Sequence, residues 1–226
     1  MAGPQHPGGS DAPGYQPPPP PPPPEYPVRY WVDYPDRPLN RLTTGLRIFT
    51  IIPIVILIGT VNGGGFTGAG TIAVGSAGGI LFLAPLLMIL FRRKYPRWWF
   101  EWNRELLRFQ NRVGVYAALM DDSYPSTDER QSVHLEFELP DVSRELNRWL
   151  PLVKWFLAIP HYLVLIILEI GSIIVVVIAW FAILFTGRFP RGLFDYLVGV
   201  GRWYNRVMAY ALLLVTDKYP PFRLSP

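Results

Sequence analysis

The sequence predicts a mainly α membrane protein made of two parallel repeats, each a short strand, a hydrophobic transmembrane hairpin and a basic amphipathic interfacial helix. Counted together, this gives about four transmembrane helices plus a small two-stranded cytoplasmic ribbon. Three observations carry the prediction: the chain repeats itself, its apolar residues are gathered into dense blocks, and its bases follow those blocks. Leu39-Asn40-Arg41 and Ile52-Pro53 recur 107 positions later as Leu146-Asn147-Arg148 and Ile159-Pro160. Arg108, Asn111, Arg112 and Tyr116 recur 94 positions later as Arg202, Asn205, Arg206 and Tyr210. A unit that carries its own hydrophobic hairpin and is used twice fits a pseudosymmetric membrane fold. Hydrophobic residues are 50% of the 226, which is ordinary for a soluble domain, so their segregation is the membrane signal.

The domain division follows from the repeat: a disordered proline-rich tail over 1–25, repeat 1 over 26–125 and repeat 2 over 126–226. The tail holds an uninterrupted run from Pro17 to Pro24, a composition that favours extended polyproline II and buries no apolar surface. It serves as a spacer or as a docking strip for an aromatic groove. From Tyr26 to Tyr34, Val28, Tyr30, Val32 and Tyr34 alternate with Arg29, Trp31 and Asp33. In the second copy Val133, Leu135, Phe137 and Leu139 alternate with His134, Glu136 and Glu138. Period two argues strand in each, and a two-fold axis pairs them antiparallel with Arg29 near Glu136 and Glu138.

Ile48 to Val61 is a short first span interrupted by Pro53, and Thr71 to Phe91 is a second of about 30 Å. Trp155 to Gly187 makes roughly 50 Å of helix, too long for one crossing, which predicts a fold-back near Glu169-Ile170-Gly171-Ser172. After each hairpin the spacing turns helical. Trp99, Trp102, Leu106, Phe109, Val113, Tyr116 and Met120 step by three and four, as do Leu193, Tyr196, Val200, Trp203, Val207, Tyr210 and Leu214. Pro96 and Pro190 sit where such helices start.

Charge orients the whole. Arg92 to Arg112 holds seven bases and two acids, and Thr186 to Arg206 four and one, whereas Asn62 to Gly79 has no Lys or Arg. The positive-inside rule then places both termini, the strands and the amphipathic helices in the cytoplasm, in the cell (plasma) membrane. The first residues lack a secretory leader pattern, in keeping with that side.

Few constellations point to chemistry. There is no cysteine, and His6, His134 and His161 have no ligand spacing, so neither a metal nor a cofactor is expected. His161 is an ionisable group inside an apolar stretch, an intramembrane polar candidate for a relay; the plainer reading is a neutral ring bonded to a carbonyl freed by Pro160. Gly63 to Gly70 lacks the Lys-Ser/Thr of a phosphate loop. Gly75 and Gly79 form a small-xxx-small face for helix packing, within the chain or between copies. Gly75-Ser76-Ala77-Gly78 lacks the leading glycine of a nucleophile elbow. Arg108, Asn111, Arg112, Arg202, Asn205 and Arg206 cluster at i, i+3, i+4 beside the apolar stripes; they either bind lipid headgroups or join elements by pairing with Asp36, Asp141 or the strand acids.

The segment Trp180-Phe181-Ala182-Ile183-Leu184-Phe185-Thr186-Gly187-Arg188-Phe189-Pro190-Arg191-Gly192-Leu193-Phe194-Asp195, with Arg202-Trp203-Tyr204-Asn205-Arg206-Val207 and Asp217-Lys218-Tyr219-Pro220-Pro221-Phe222, resembles the bacterial family known as domain of unknown function 4389. The first copy departs from it, with Arg92-Arg93-Lys94-Tyr95-Pro96-Arg97-Trp98-Trp99 in the corresponding place. The resemblance implies a multi-pass membrane protein and carries no activity. The expectation is therefore a non-enzymatic integral membrane protein, an organiser or accessory subunit. Its partners would be lipids, anionic headgroups included, and a second copy or another membrane protein, with no nucleic acid. A small transporter or channel and a membrane-shaping re-entrant hairpin protein are the alternatives.

Overall fold

In the computed structural model, which describes residues 26–61, 84–127 and 129–226, the chain is mainly helical with one two-stranded antiparallel sheet. The tail, the glycine-rich segment and Gly75 and Gly79 lie outside the described residues. In chain order the elements are β1 (Arg29–Val32), α1 (Arg41–Thr50), α2 (Ile52–Val61), a π-helical turn (Met88–Arg92), α3 (Arg97–Ala117), β2 (Val133–Glu136), α4 (Pro151–Leu157), α5 (Ile159–Thr186) and α6 (Arg191–Ala211).

The ribbon forms as the alternation requires. Arg29 faces Glu136, Tyr30 faces Leu135, Trp31 faces His134 and Val32 faces Val133. Val28, Tyr30, Val32, Val133, Leu135 and Phe137 are buried on one face, so a slip of one residue would expose all of them. On the other face Trp31 stacks on His134 at 4.8 Å, and His134 Nε2 lies 2.8 Å from Asp33 Oδ2. Each strand is four residues long, and β1 and β2 are supported by the helices behind them.

Both long amphipathic helices start one residue after their proline and run for 21 residues. α6 is covered on two sides. One face meets the ribbon so closely that a Cβ on Gly201 would sit 2.8 Å from the Tyr30 ring, and the opposite face packs Trp203, Val207 and Tyr210 against Ala158 and Leu165. α3 is less enclosed. It buries Phe109 and Val113 under Ile54 of α2, but leaves Trp98 and Trp102 open.

The expected fold-back near Glu169 is absent: α5 runs unbroken for 28 residues through Gly171. One glycine costs a helix only about 1 kcal/mol, and no proline accompanies it. The Ser172 hydroxyl donates to the Leu168 carbonyl at 2.9 Å, which satisfies it without breaking the helix. The excess length is removed elsewhere. Helix geometry is interrupted at Ala158, just before Ile159-Pro160, and at Ile51, just before Ile52-Pro53, because proline offers no N–H to the preceding turn. Among the described residues, α5 is the one helix long and apolar enough to cross a membrane. Its other face reaches the main core through Ala179 and Ile183.

Candidate functional site

The polar residues singled out by the repeat meet in a seam between α3 and α6. Asn111 and Asn205 exchange amide hydrogen bonds of 2.8 and 2.7 Å. Each also donates to the carbonyl four residues back, Leu107 and Gly201 respectively, so both ends of each amide are used. Such a pair is satisfied only in one register, which fixes α3 against α6.

The four arginines reach outward from this centre to backbone oxygens. Arg108 Nε donates to the Leu135 carbonyl at 3.0 Å and Arg202 Nε to the Tyr30 carbonyl at 3.3 Å, and Tyr30 and Leu135 are themselves a facing pair in the ribbon. Arg112 donates to the Ser126 carbonyl, Arg202 also to Leu224, and Arg206 to Arg223 and Ser225. Where the sequence offered Asp36, Asp141 or the strand acids, Arg108, Arg112 and Arg202 reach these backbone carbonyls, and Arg108 also reaches Glu105. A guanidinium has five donors and suits carbonyls that a two-stranded ribbon leaves without a neighbouring strand. Arg206, next to Tyr26, and Arg202, next to Tyr30, partly offset the rise that burial gives both phenols, which stay protonated well above the ordinary tyrosine range.

Two buried ion pairs flank the seam, and sequence reasoning missed both. Arg47 on α1 meets Asp122 at 2.8 Å, and Lys154 on α4 meets Asp217 at 2.7 Å. The surroundings correspond group by group. Arg47 donates to the Asp121 carbonyl and lies 3.9 Å over the Tyr116 ring; Lys154 donates to the Thr216 carbonyl and lies 5.1 Å over Tyr210. The second carboxylate oxygen takes the Asn40 N–H in one place and the Asn147 N–H in the other. The signal was present in the sequence: 154 follows 47 by 107 positions and 217 follows 122 by 95. Burial pulls the Lys154 ammonium below its ordinary range, and the Asp217 carboxylate opposes that.

His161 is fully buried where α5, α6 and the C-terminal segment meet. Its Nδ1 accepts the Trp203 indole N–H at 3.0 Å, and its ring stacks on Phe222 at 4.0 Å. Its partner is thus an indole, not the carbonyl expected from the proline. An accepting Nδ1 puts the proton of the neutral ring on Nε2, which finds no partner among the described residues. Glu169 lies about two turns further along α5, on the wall of a cleft of about 610 Å³ shared with Ser172, Asn111 and Tyr204. Among the described residues no group of three or more His, Cys, Asp or Glu could hold a metal.

The span from Lys154 through Asp217, with the aromatic cap over His161, is the part of the chain that comparison with known proteins picks out. Residues 148–223 match the family described as Domain of unknown function (DUF4389). The DUF4389 segment takes in α4, α5, α6 and the Asp217–Phe222 stretch, in keeping with the resemblance read from the second copy. No curated protein and no solved structure matches the chain.

Proposed function

We propose that the chain is a resident of the cell membrane that works as a non-catalytic organiser or accessory subunit, built from two copies of one unit about a two-fold axis. The observation that carries this reading is the open apolar face of α5. Leu163, Ile167, Ile174 and Phe185 are all more than half exposed, and a continuous apolar patch of that length is a contact surface rather than a solvent surface. The matching ion pairs, the reciprocal asparagines and the ribbon support the two-copy reading. So do the crossed bonds by which Arg41 of the first copy holds the Phe185 carbonyl and Arg148 of the second holds the Leu90 carbonyl. The recurring polar side chains spend their hydrogen bonds on holding elements together, which favours an organiser over an enzyme.

The test is extraction followed by co-purification. The full chain stays with membranes through alkaline carbonate and, in mild detergent, comes with a stoichiometric membrane partner. Release by carbonate refutes membrane residence, and recovery of the chain alone refutes the subunit role. The cleft bearing Glu169 and Ser172 favours a small transporter or channel as a second reading. Ion flux in proteoliposomes that Glu169→Gln abolishes would decide for it.

A further inference from the structure

We infer that α5 lies along the membrane rather than across it, with its open face sunk into one leaflet that contains anionic phospholipid. The inference rests on the membrane residence proposed above and concerns how the chain meets the bilayer.

The argument starts from what packs beside α5. α6 runs antiparallel to it: the Tyr196 hydroxyl donates to the Leu168 carbonyl at 3.0 Å, Trp203 to His161, and Tyr210 faces Lys154. Tyr30 of the ribbon lines one cleft with Glu169, Ser172 and Val176 of α5, so α6 and the ribbon fastened to it lie alongside α5 and not beyond one end. The ribbon's outer face shows Arg29, Asp33 and Glu136 to solvent. If α5 crossed the bilayer, those charges would stand beside its hydrocarbon-embedded half, where charged groups without a water-filled cavity are expelled. Turning α5 into the membrane plane removes the conflict. The ribbon then faces water, α6 forms the middle layer and the open face of α5 points at lipid.

Two further observations agree. Leu163, Ile170, Val177 and Phe185, spaced seven, seven and eight residues apart, form one exposed stripe along the whole of α5, while His161, Leu165, Ser172, Ala179 and Ile183 are buried on the other side. α5 is also long and apolar enough to cross a membrane, so its placement rests on the body packed against its covered side. Bases also gather beyond both ends. Arg188 and Arg191 are exposed after the last turn, and Arg148 and Trp149 precede the first, sharing a hollow with Arg93. A crossing helix would put one of these groups on the outer side against the positive-inside rule; an in-plane helix keeps both at one surface of anionic headgroups.

The chain has no cysteine, so single spin labels can be placed on the stripe. Leu163→Cys, Ile170→Cys, Val177→Cys and Phe185→Cys, each in the full chain reconstituted in phosphatidylcholine–phosphatidylglycerol vesicles, are read by collision with oxygen and with a water-soluble nickel complex. All four labels are expected at one similar depth, about 5–10 Å below the headgroups. A profile that is deepest at Ile170 and Val177, near the bilayer centre at about 15 Å, and shallow at both ends overturns the inference while leaving membrane residence intact. Strong dipolar broadening between labels, meaning a second copy on this face, overturns it as well, as does exclusion of both reagents by protein. Free access of the nickel complex to all four positions refutes membrane residence itself.

Discussion

Removing the charge of Asp217 gives a loss of stability whose size and pH dependence both follow from the site. The Lys154 ammonium is 0% exposed, with Asp217 Oδ1 and the Thr216 carbonyl each 2.7 Å away, and the Asp217 side chain is 20% exposed. In Asp217→Asn the amide oxygen keeps the Asn147 N–H and the amide NH2 is left facing the ammonium, so the variant removes both the counter-charge and the acceptor of Lys154. Stripping one partner from a buried pair costs about 3–5 kcal/mol; the partial exposure of Asp217 puts the expected loss near the lower figure, about 3 kcal/mol. For a chain of this size that is roughly 6–12 °C in Tm. Lys154→Met costs less, about 2 kcal/mol, because its orphan is a carboxylate that reaches water. The double variant should lose well under the sum, with a coupling of at least about 1.5 kcal/mol. Lysine can also escape by shedding its proton. Its folded pKa lies below the unfolded value, so the unfolded state binds more protons, and the stability of Asp217→Asn should climb as pH rises from about 7 to 10. Asp122→Asn leaves Arg47 orphaned 3% exposed, and a guanidinium does not deprotonate, so that variant loses more and shows no recovery at high pH. Thermal unfolding in detergent across that pH range measures all of this. Additive single variants within about 0.5 kcal/mol, or parallel pH profiles for Asp217→Asn and Asp122→Asn, would refute the reasoning.

Gly171→Ala should destabilise by about 1–3 kcal/mol despite the better helix propensity of alanine, because its Cβ would lie 2.6 Å from the Tyr196 hydroxyl oxygen. In a Tyr196→Phe background that oxygen is gone, and the same change should become neutral or stabilising; a loss of equal size in both backgrounds rules out the clash. Asp121 behaves differently: burial raises its pKa, but hydrogen bonds from Ser132 and Ser123 outweigh that and hold it below 3.8. A depressed carboxylate stabilises the fold above its unfolded pKa and loses that contribution as pH falls through the folded one. Melting curves at about pH 5 and pH 3 should therefore show a smaller acid-induced loss for Asp121→Asn than for the parent chain, and an unchanged loss would remove Asp121 from the account.

Local signals were the readable ones. Pro96 and Pro190 followed by three–four spacing located α3 and α6 because a helix start and an apolar stripe are written in neighbouring residues. The ribbon was readable from alternation, and the second alternating stretch at 133–139 supplied its antiparallel partner; Arg29 does face Glu136. What needed the structure was the destination of each polar group. Arg108 and Arg202 bind ribbon carbonyls, which no charge pattern can announce, since every residue has a carbonyl. The continuous α5 was misread because Glu169-Ile170-Gly171-Ser172 looks like a turn when taken alone. Helix-forming apolar residues on both sides and the Ser172 bond to Leu168 override it. Lys154 and Arg47 went unpaired in the sequence because their carboxylates lie 63 and 75 positions away, and only the recurrence of base and acid at offsets of 107 and 95 marked them.

The pairing of β1 with β2 also sets a schedule for synthesis. Arg29 leaves the ribosome 104 positions ahead of Val133 (133 − 29), so at roughly 5–20 residues per second β1 waits about 5–20 s for the strand it must join. During that wait its buried-to-be row of Val28, Tyr30 and Val32 has no cover, because α6, which later closes over Tyr30, emerges later still. The other row carries Arg29 and Asp33, charges of the kind that discourage edge-to-edge association of a bare strand. The first half of this protein is thus made as an unfinished surface, and the 36 residues from 191 to 226 complete it.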